Sequence, residues 1–288
     1  MQKLLYIFLV LVTNYSTAAE QETSSFITAQ TAVAFSVATA ATVGLYSYVT
    51  RTKTPIYNKP YFYGKKKLGD TNLTVFAHSL GTSGFQANYY QAKSFGCLEN
   101  CLATFDFQDA DKNNHLWNSA LGQEEDMDQL EDVIKKFSSS QIDLYGVSRG
   151  AATIANLAGR SLPKNVQSII LESPYADIKD IIKHKTDTTF LSHLLLLCSR
   201  HDPKGIQPIK AAPLIDKNIP ILILCSEEDT LVPASSSKDL YETLLESGHK
   251  KTHFLSFEEG AHGSIVFENK KLATTAIQAF YKKYRKPD

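Results

Sequence analysis

A mostly parallel α/β sheet with helices on both faces is the architecture that this sequence predicts, and three observations lead to it. Short apolar runs such as Ile219-Pro-Ile-Leu-Ile-Leu-Cys225 read as strands buried on both sides, the habit of parallel strands. Between such runs lie stretches of helical spacing, for example Met127, Leu130, Ile134 and Phe137 on one face. The two patterns alternate along the chain, as crossover connections over a parallel sheet require. A length of 288 residues, 43% of them hydrophobic, suffices for one large core.

The elements follow in order. Residues Tyr57 to Gly69 hold a shortened form of the first strands. A strand at 72–77 leads to a helix at 84–96 and a strand at 102–107, which contains Ala103-Thr-Phe-Asp106. The apolar face named above predicts a helix over 123–138. The strand at 141–147 runs straight into a helix at 149–160, whose alanines allow close packing on the sheet. After a strand at 166–172 comes an insertion, residues 176–215, that includes Phe190-Leu-Ser-His-Leu-Leu-Leu-Leu197. A structureless loop of that length is unusual inside a compact domain. It reads either as a small helical cap or as an ordinary helix pair between strands; a cap would offer an apolar wall to a lipophilic group. A strand at 219–225, a helix at 235–247, a strand at 252–257 and a helix at 264–284 complete the alternation.

The amino terminus has a different character. Lys3, the apolar run Leu4 to Val12 and the small residues Ser16-Thr-Ala-Ala19 have the form of a signal peptide over residues 1–19. Residues 26–50 then run for about 25 positions without a charge, long enough to span a bilayer. Arg51, Lys53 and Lys59 follow directly, the basic flank expected on the cytoplasmic side of a span. A helix lying on the membrane surface, or secretion after signal cleavage, are the alternatives. The α/β domain is assigned to residues 55–288.

Net charge is zero, with 30 basic and 30 acidic residues, so no global field recruits nucleic acid. No metal-ligand spacing is present: Cys97 and Cys101 are too few for a zinc site. They either form a disulfide or remain two reduced thiols.

Chemistry concentrates at Gly146-Val147-Ser148-Arg149-Gly150, a G-x-S-x-G between a strand and a helix. This is the nucleophile elbow of serine hydrolases, in which a strained turn exposes the serine Oγ at a strand tip. An acid and a histidine must follow in that chain order. Asp229 lies on the loop after the 219–225 strand, with Glu227 and Glu228 as its neighbours in competition. His262 sits in the glycine-flanked loop Gly260-Ala-His-Gly263 between the last strand and the last helix. Of the eight histidines, most read as surface residues, and His262 as the base. Main-chain N–H groups of Leu80, on the loop after the 72–77 strand, and of Arg149 are the expected oxyanion donors. His78 reads as a buttress of that loop, and Asp106 as a structural loop residue.

The chain thereby resembles the α/β-hydrolase superfamily over residues 55–288. The likeness rests on the His-x-x-Gly loop at 78–81, Ala103–Asp106, Gly146–Gly150, Leu171-Glu-Ser-Pro174, the Asp229 loop with Val232-Pro233, and Gly260–Gly263. Ser79 and Ser226 stand where members of that superfamily usually have glycine. The resemblance implies the α/β-hydrolase fold, with Ser148 as nucleophile, Asp229 as acid and His262 as base. It also implies a carboxylic ester or thioester substrate, small or lipid-like, cleaved through an acyl-enzyme without a cofactor. A peptidase or amidase of the same fold, and a catalytically silent binding scaffold, are the other readings.

Overall fold

The computed structural model describes residues 61–63, 72–92, 101–107, 119–186, 201–202 and 204–285. The expected signal segment 1–19, the uncharged stretch 26–50, Cys97 and Phe190–Leu197 lie outside the described residues.

Seven strands are described: β1 (Tyr61–Tyr63), β2 (Asn72–Ala77), β3 (Cys101–Thr104), β4 (Gln141–Val147), β5 (Val166–Glu172), β6 (Ile221–Ser226) and β7 (Thr252–Phe257). They form one sheet in the order β1-β3-β2-β4-β5-β6-β7, antiparallel only where β1 meets β3. The expected mostly parallel sheet is therefore observed. The described helices are α1 (Gln86–Ala92), α2 (Glu124–Lys136), α3 (Arg149–Arg160), α4 (Ile178–Thr186), α5 (Pro208–Ala211), α6 (Ala234–Glu246), α7 (Ile265–Glu268) and α8 (Lys270–Tyr284).

Alternation along each strand divides the core into two layers. Val75, Leu144, Ile169 and Ile223 point to the face covered by α2, α3 and α6, where Leu130, Ile154 and Leu240 meet them. Phe76, Tyr145, Ile170 and Leu222 point to the opposite face, against Tyr90 of α1, Ile265 of α7 and Ile277 of α8. Helices therefore cover both faces, as expected.

Strand order reverses between β2 and β4: β3 lies on one side of β2 and β4 on the other. At such a switch point the loops leaving the carboxyl ends of two adjacent strands diverge and leave a crevice. The loops leaving β2 and β4 carry Leu80 and Ser148.

Of the expected boundaries that move, three do so for a visible local reason. The strand placed at 102–107 ends at Thr104, and the Phe107 N–H leaves the ladder to donate to His78 Nε2 at 3.0 Å. The helix placed from 84 begins at Gln86, because the Gly84 N–H donates to Asp106 Oδ1 at 2.6 Å. The helix placed at 264–284 is two helices. Asn269, at φ −103° and ψ 31°, breaks it and donates its side-chain amide to Glu259 O at 2.7 Å and Ile265 O at 3.0 Å.

Within the insertion at 176–215, α4, α5 and a 3-10 turn at Ala212–Leu214 are described. Ala212 and Ile215 join the core beneath α3 and belong to the scaffold. Ile178 and Ile182 of α4 instead form a separate apolar cluster with Leu121, Tyr175 and Val232, against which Leu80 packs.

Candidate active site

Ser148 is the residue between β4 and α3, with φ 53° and ψ −111°. A non-glycine side chain in the left-handed region is strained, and here the surrounding backbone imposes it. A Cβ on Gly150 would lie 2.0 Å from Ala77 O, and one on Gly146 would lie 2.6 Å from Ala151 N. Both positions therefore exclude every side chain, and the close approach ties the elbow to the end of β2. The Ser148 N–H donates to Glu172 O at 2.8 Å, which fixes the turn to β5.

His262 Nδ1 lies 2.8 Å from Asp229 Oδ2. The Asp229 side chain is 1% exposed and that of His262 13%. Asp229 Oδ1 accepts the N–H groups of Leu231 and Val232, each at 2.9 Å, and Oδ2 accepts the Ser173 hydroxyl at 2.8 Å. Burial alone would raise this carboxyl. The His262 bond and charge, with the Val232 amide and the Ser173 hydroxyl, outweigh burial and hold it below the ordinary carboxylate value. An ionised Asp229 only accepts, so Nδ1 of His262 is the donor in this bond. Ser148 Oγ makes no hydrogen bond among the described residues.

The competing acids are placed elsewhere. Glu227 and Glu228 are exposed, and Glu227 accepts the Ser256 hydroxyl. Glu172, at the end of β5, is fully buried. Its Oε2 accepts the hydroxyls of Tyr145 at 2.7 Å and Tyr90 at 2.9 Å. Burial raises the Glu172 carboxyl to about 7, although both hydroxyls act in the opposite direction.

The loop after β2 is held by side chains that its own sequence does not reveal. The Ser79 N–H donates to Gln86 Oε1 at 2.9 Å and is committed there. The Leu80 N–H meets no acceptor among the described residues. His78 accepts the Phe107 N–H at Nε2, so its proton lies on Nδ1, 2.8 Å from Ser79 O. Burial, and after it the Arg149 charge, lowers His78 to about 3, and the ring is neutral. Both its nitrogens serve the backbone, the geometry of a buttress.

Arg149 opens α3, where helix N–H groups point outward at the positive end of the macrodipole. Its side chain turns inward. Nε and Nη2 donate to the Asp126 carboxylate at 2.8 and 2.7 Å, and the guanidinium lies 4.4 Å over the Phe107 ring. Phe107 thus touches both Arg149 and His78, coupling the elbow to the loop after β2. Asp126, Gln86, Ser173 and Phe107 are the site residues that sequence reasoning missed.

The expectation that the other histidines are mostly surface residues fails in part. His249 is fully buried between Asp216 O and Thr252 Oγ1, and His201 is buried as well. His184 is exposed, and His115 and His193 lie outside the described residues.

A profile of the prolyl oligopeptidase family matches residues 112–288. Lysophosphatidylserine lipase ABHD12 of Danio rerio is 23% identical over 239 residues, covering 73% of this chain and 58% of the relative. The chain therefore spans less than two thirds of that relative's length. Among solved structures, an α/β-hydrolase from a Medee basin deep-sea metagenome library superposes with a TM-score of 0.59 at 17% identity, over 80% of this chain and 96% of that one. An esterase of Pyrococcus furiosus gives 0.58 at 14%, over 81% and 96%. The acylaminoacyl peptidase of Pyrococcus horikoshii gives 0.60 at 15%, over 82% of this chain and 41% of that one. At these identities the solved structures speak to the fold alone, and the fold is that of the α/β-hydrolases.

Proposed function

We propose that this chain, which belongs to the prolyl oligopeptidase family, is a serine hydrolase that cleaves a carboxylic ester or thioester through an acyl-enzyme. The observation that carries this reading is the buried Asp229–His262 bond, together with a strained serine at the switch point of the same sheet.

In this mechanism Ser148 Oγ attacks the carbonyl carbon as its proton passes to His262 Nε2. The carbonyl oxygen becomes anionic and meets the main-chain N–H groups of Leu80 and Arg149; donors of this kind contribute about 3 kcal/mol each to such a transition state. Asp229 holds the imidazolium that forms. His262 then protonates the leaving alkoxide or thiolate as the carbon–oxygen or carbon–sulfur bond breaks. Water, deprotonated by His262, attacks the acyl-enzyme and releases the acid and Ser148.

A lipophilic acyl group is favoured by the apolar cluster that reaches from Leu80 on one loop to Val232 on the acid loop, with Ile178 and Ile181 of α4. The likeness to a lipase points the same way. The family profile favours a second reading, a serine peptidase, on the same catalytic groups. Membrane attachment through residues 26–50 is proposed from sequence alone. Retention of the protein in the membrane fraction through carbonate extraction would support a span, release by high salt would show that residues 26–50 do not span, and recovery in the soluble fraction would end the membrane reading.

The deciding experiment labels the protein with a fluorophosphonate and then profiles p-nitrophenyl esters of rising chain length against peptide amides. We expect labelling that is lost in Ser148→Ala, and esters preferred over amides. Ser148→Ala is expected to keep the fold and to lose turnover by about three orders of magnitude or more. Near-wild-type turnover in that variant would sink the mechanism.

A further inference from the structure

We propose that Ser173 is a positioning residue of the catalytic set, acting through Asp229; the inference rests on the serine hydrolase reading above. Asp229 Oδ2 receives two hydrogen bonds, from His262 Nδ1 and from the Ser173 hydroxyl, each at 2.8 Å. With the two main-chain donors on Oδ1, all four acceptor positions of this buried carboxylate are filled. The two main-chain amides on Oδ1 set the plane of the carboxylate. The Ser173 hydroxyl takes one lone pair of Oδ2 and leaves the other to the imidazole.

Ser173 is itself held on every side. It is fully buried and has φ 48°. Its N–H donates to Leu224 O of β6 at 2.8 Å. The residues after it are pinned to α6: Ser237 Oγ donates to Pro174 O, and the Ala176 N–H donates to Ser236 Oγ, both at 2.8 Å. A buried serine kept in the left-handed region is strained, and such strain persists only where the surroundings impose it. Ser148, Ser173 and Leu121 are the non-glycine residues with positive φ among those described. Full burial separates Ser173 from substrate, so its action must pass through Asp229.

Donation to an ionised acceptor is stronger than a neutral bond and lowers the acceptor's proton affinity. Without it, Asp229 becomes a stronger base and binds the imidazolium formed in the reaction more tightly. The other titratable groups around Asp229 are Glu172, Cys225, Glu227 and Glu228, none of which bonds to it.

The test compares Ser173→Ala with Ser173→Gly. Both delete the hydroxyl, but glycine accepts the positive φ without strain, so it keeps the loop folded if alanine does not. For each, kcat is expected to fall about tenfold with KM unchanged, and the acid limb of the kcat/KM profile to move up by about half a pH unit. In an Asp229→Asn background the same substitutions should change kcat less than twofold, because the group through which Ser173 acts is gone. Wild-type kcat and acid limb in Ser173→Gly would overturn the role, as would equal losses with and without Asp229. Failure of the underlying reading shows separately, as fluorophosphonate labelling that survives Ser148→Ala.

Discussion

Two buried carboxyls, Glu172 at the end of β5 and Asp229 on the loop after the neighbouring β6, are separated by their donors. Asp229 takes its bonds from a histidine, a serine and two main-chain amides, whereas Glu172 takes its bonds from two tyrosines. Substitution by the isosteric amide should therefore give unequal results. Asp229→Asn is expected to lower kcat by about 10³ to 10⁴, because Nδ1 of His262 loses its ionic partner and the ring its tautomer. Glu172→Gln and Glu228→Gln should stay within about tenfold of wild type, since neither carboxyl touches His262. Steady-state rates on one p-nitrophenyl ester rank the three, and a Glu172→Gln loss as deep as that of Asp229→Asn would reverse the assignment. Ser148, Asp229 and His262 could be singled out as candidates from the sequence because each position is announced locally, by a glycine-framed turn or by a loop after an apolar run. Ser173 and Asp126 could not. Ser173 meets its partner 56 residues away and Asp126 meets Arg149 across 23, at contacts that exist only once strand order is set.

At the scale of elements, the elbow depends on how closely α3 and the end of β2 approach. Gly150→Ala drives a Cβ to 2.0 Å from Ala77 O and 2.9 Å from His78 O, backbone atoms that cannot rotate away. The variant is expected to lose about 3 kcal/mol or more of stability, together with its turnover, since the same shift displaces Ser148 and the loop of Leu80. Chemical denaturation and ester turnover measure the two effects. A wild-type midpoint would mean that the β2 loop yields to α3, contrary to the tie through Phe107, His78 and Arg149. Element positions were largely readable: β2, β4, α3, β5 and β7 have the expected limits, because apolar runs and the G-x-S-x-G turn fix them locally. The misplaced boundaries lie where a side chain takes over a backbone group. Asp106 claims the Gly84 amide, His78 the Phe107 amide, and Asn269 the Glu259 carbonyl; periodicity carries no trace of such bonds.

For the molecule as a whole, two buried titratable groups near the site impose opposite pH dependences on folding. Glu172 keeps its proton to about pH 7 in the folded chain, against 4.5 for the ordinary side chain. Between those values the folded state binds more protons than the unfolded one, so stability falls as pH rises through that window. His78, lowered from 6.5 to about 3, behaves in the reverse sense. The unfolded state takes up the proton first, and stability falls as pH drops through 6.5 toward 3. Their slopes oppose each other between pH 4.5 and 6.5, so these two groups together leave a plateau there and a decline on each side. Glu172→Gln removes the alkaline decline and leaves the acid one. A shift of this size is worth on the order of 3 kcal/mol. Urea unfolding at pH 5, 6.5 and 8 supplies the comparison. The amide adds a constant cost from its buried NH₂, so the quantity to follow is the change with pH in the difference between variant and wild type. That difference should move in favour of the variant by about 2.5 kcal/mol between pH 5 and pH 8, mostly below pH 7. A difference that stays flat over the whole range would mean that Glu172 is ionised throughout and that its two tyrosine donors outweigh its burial.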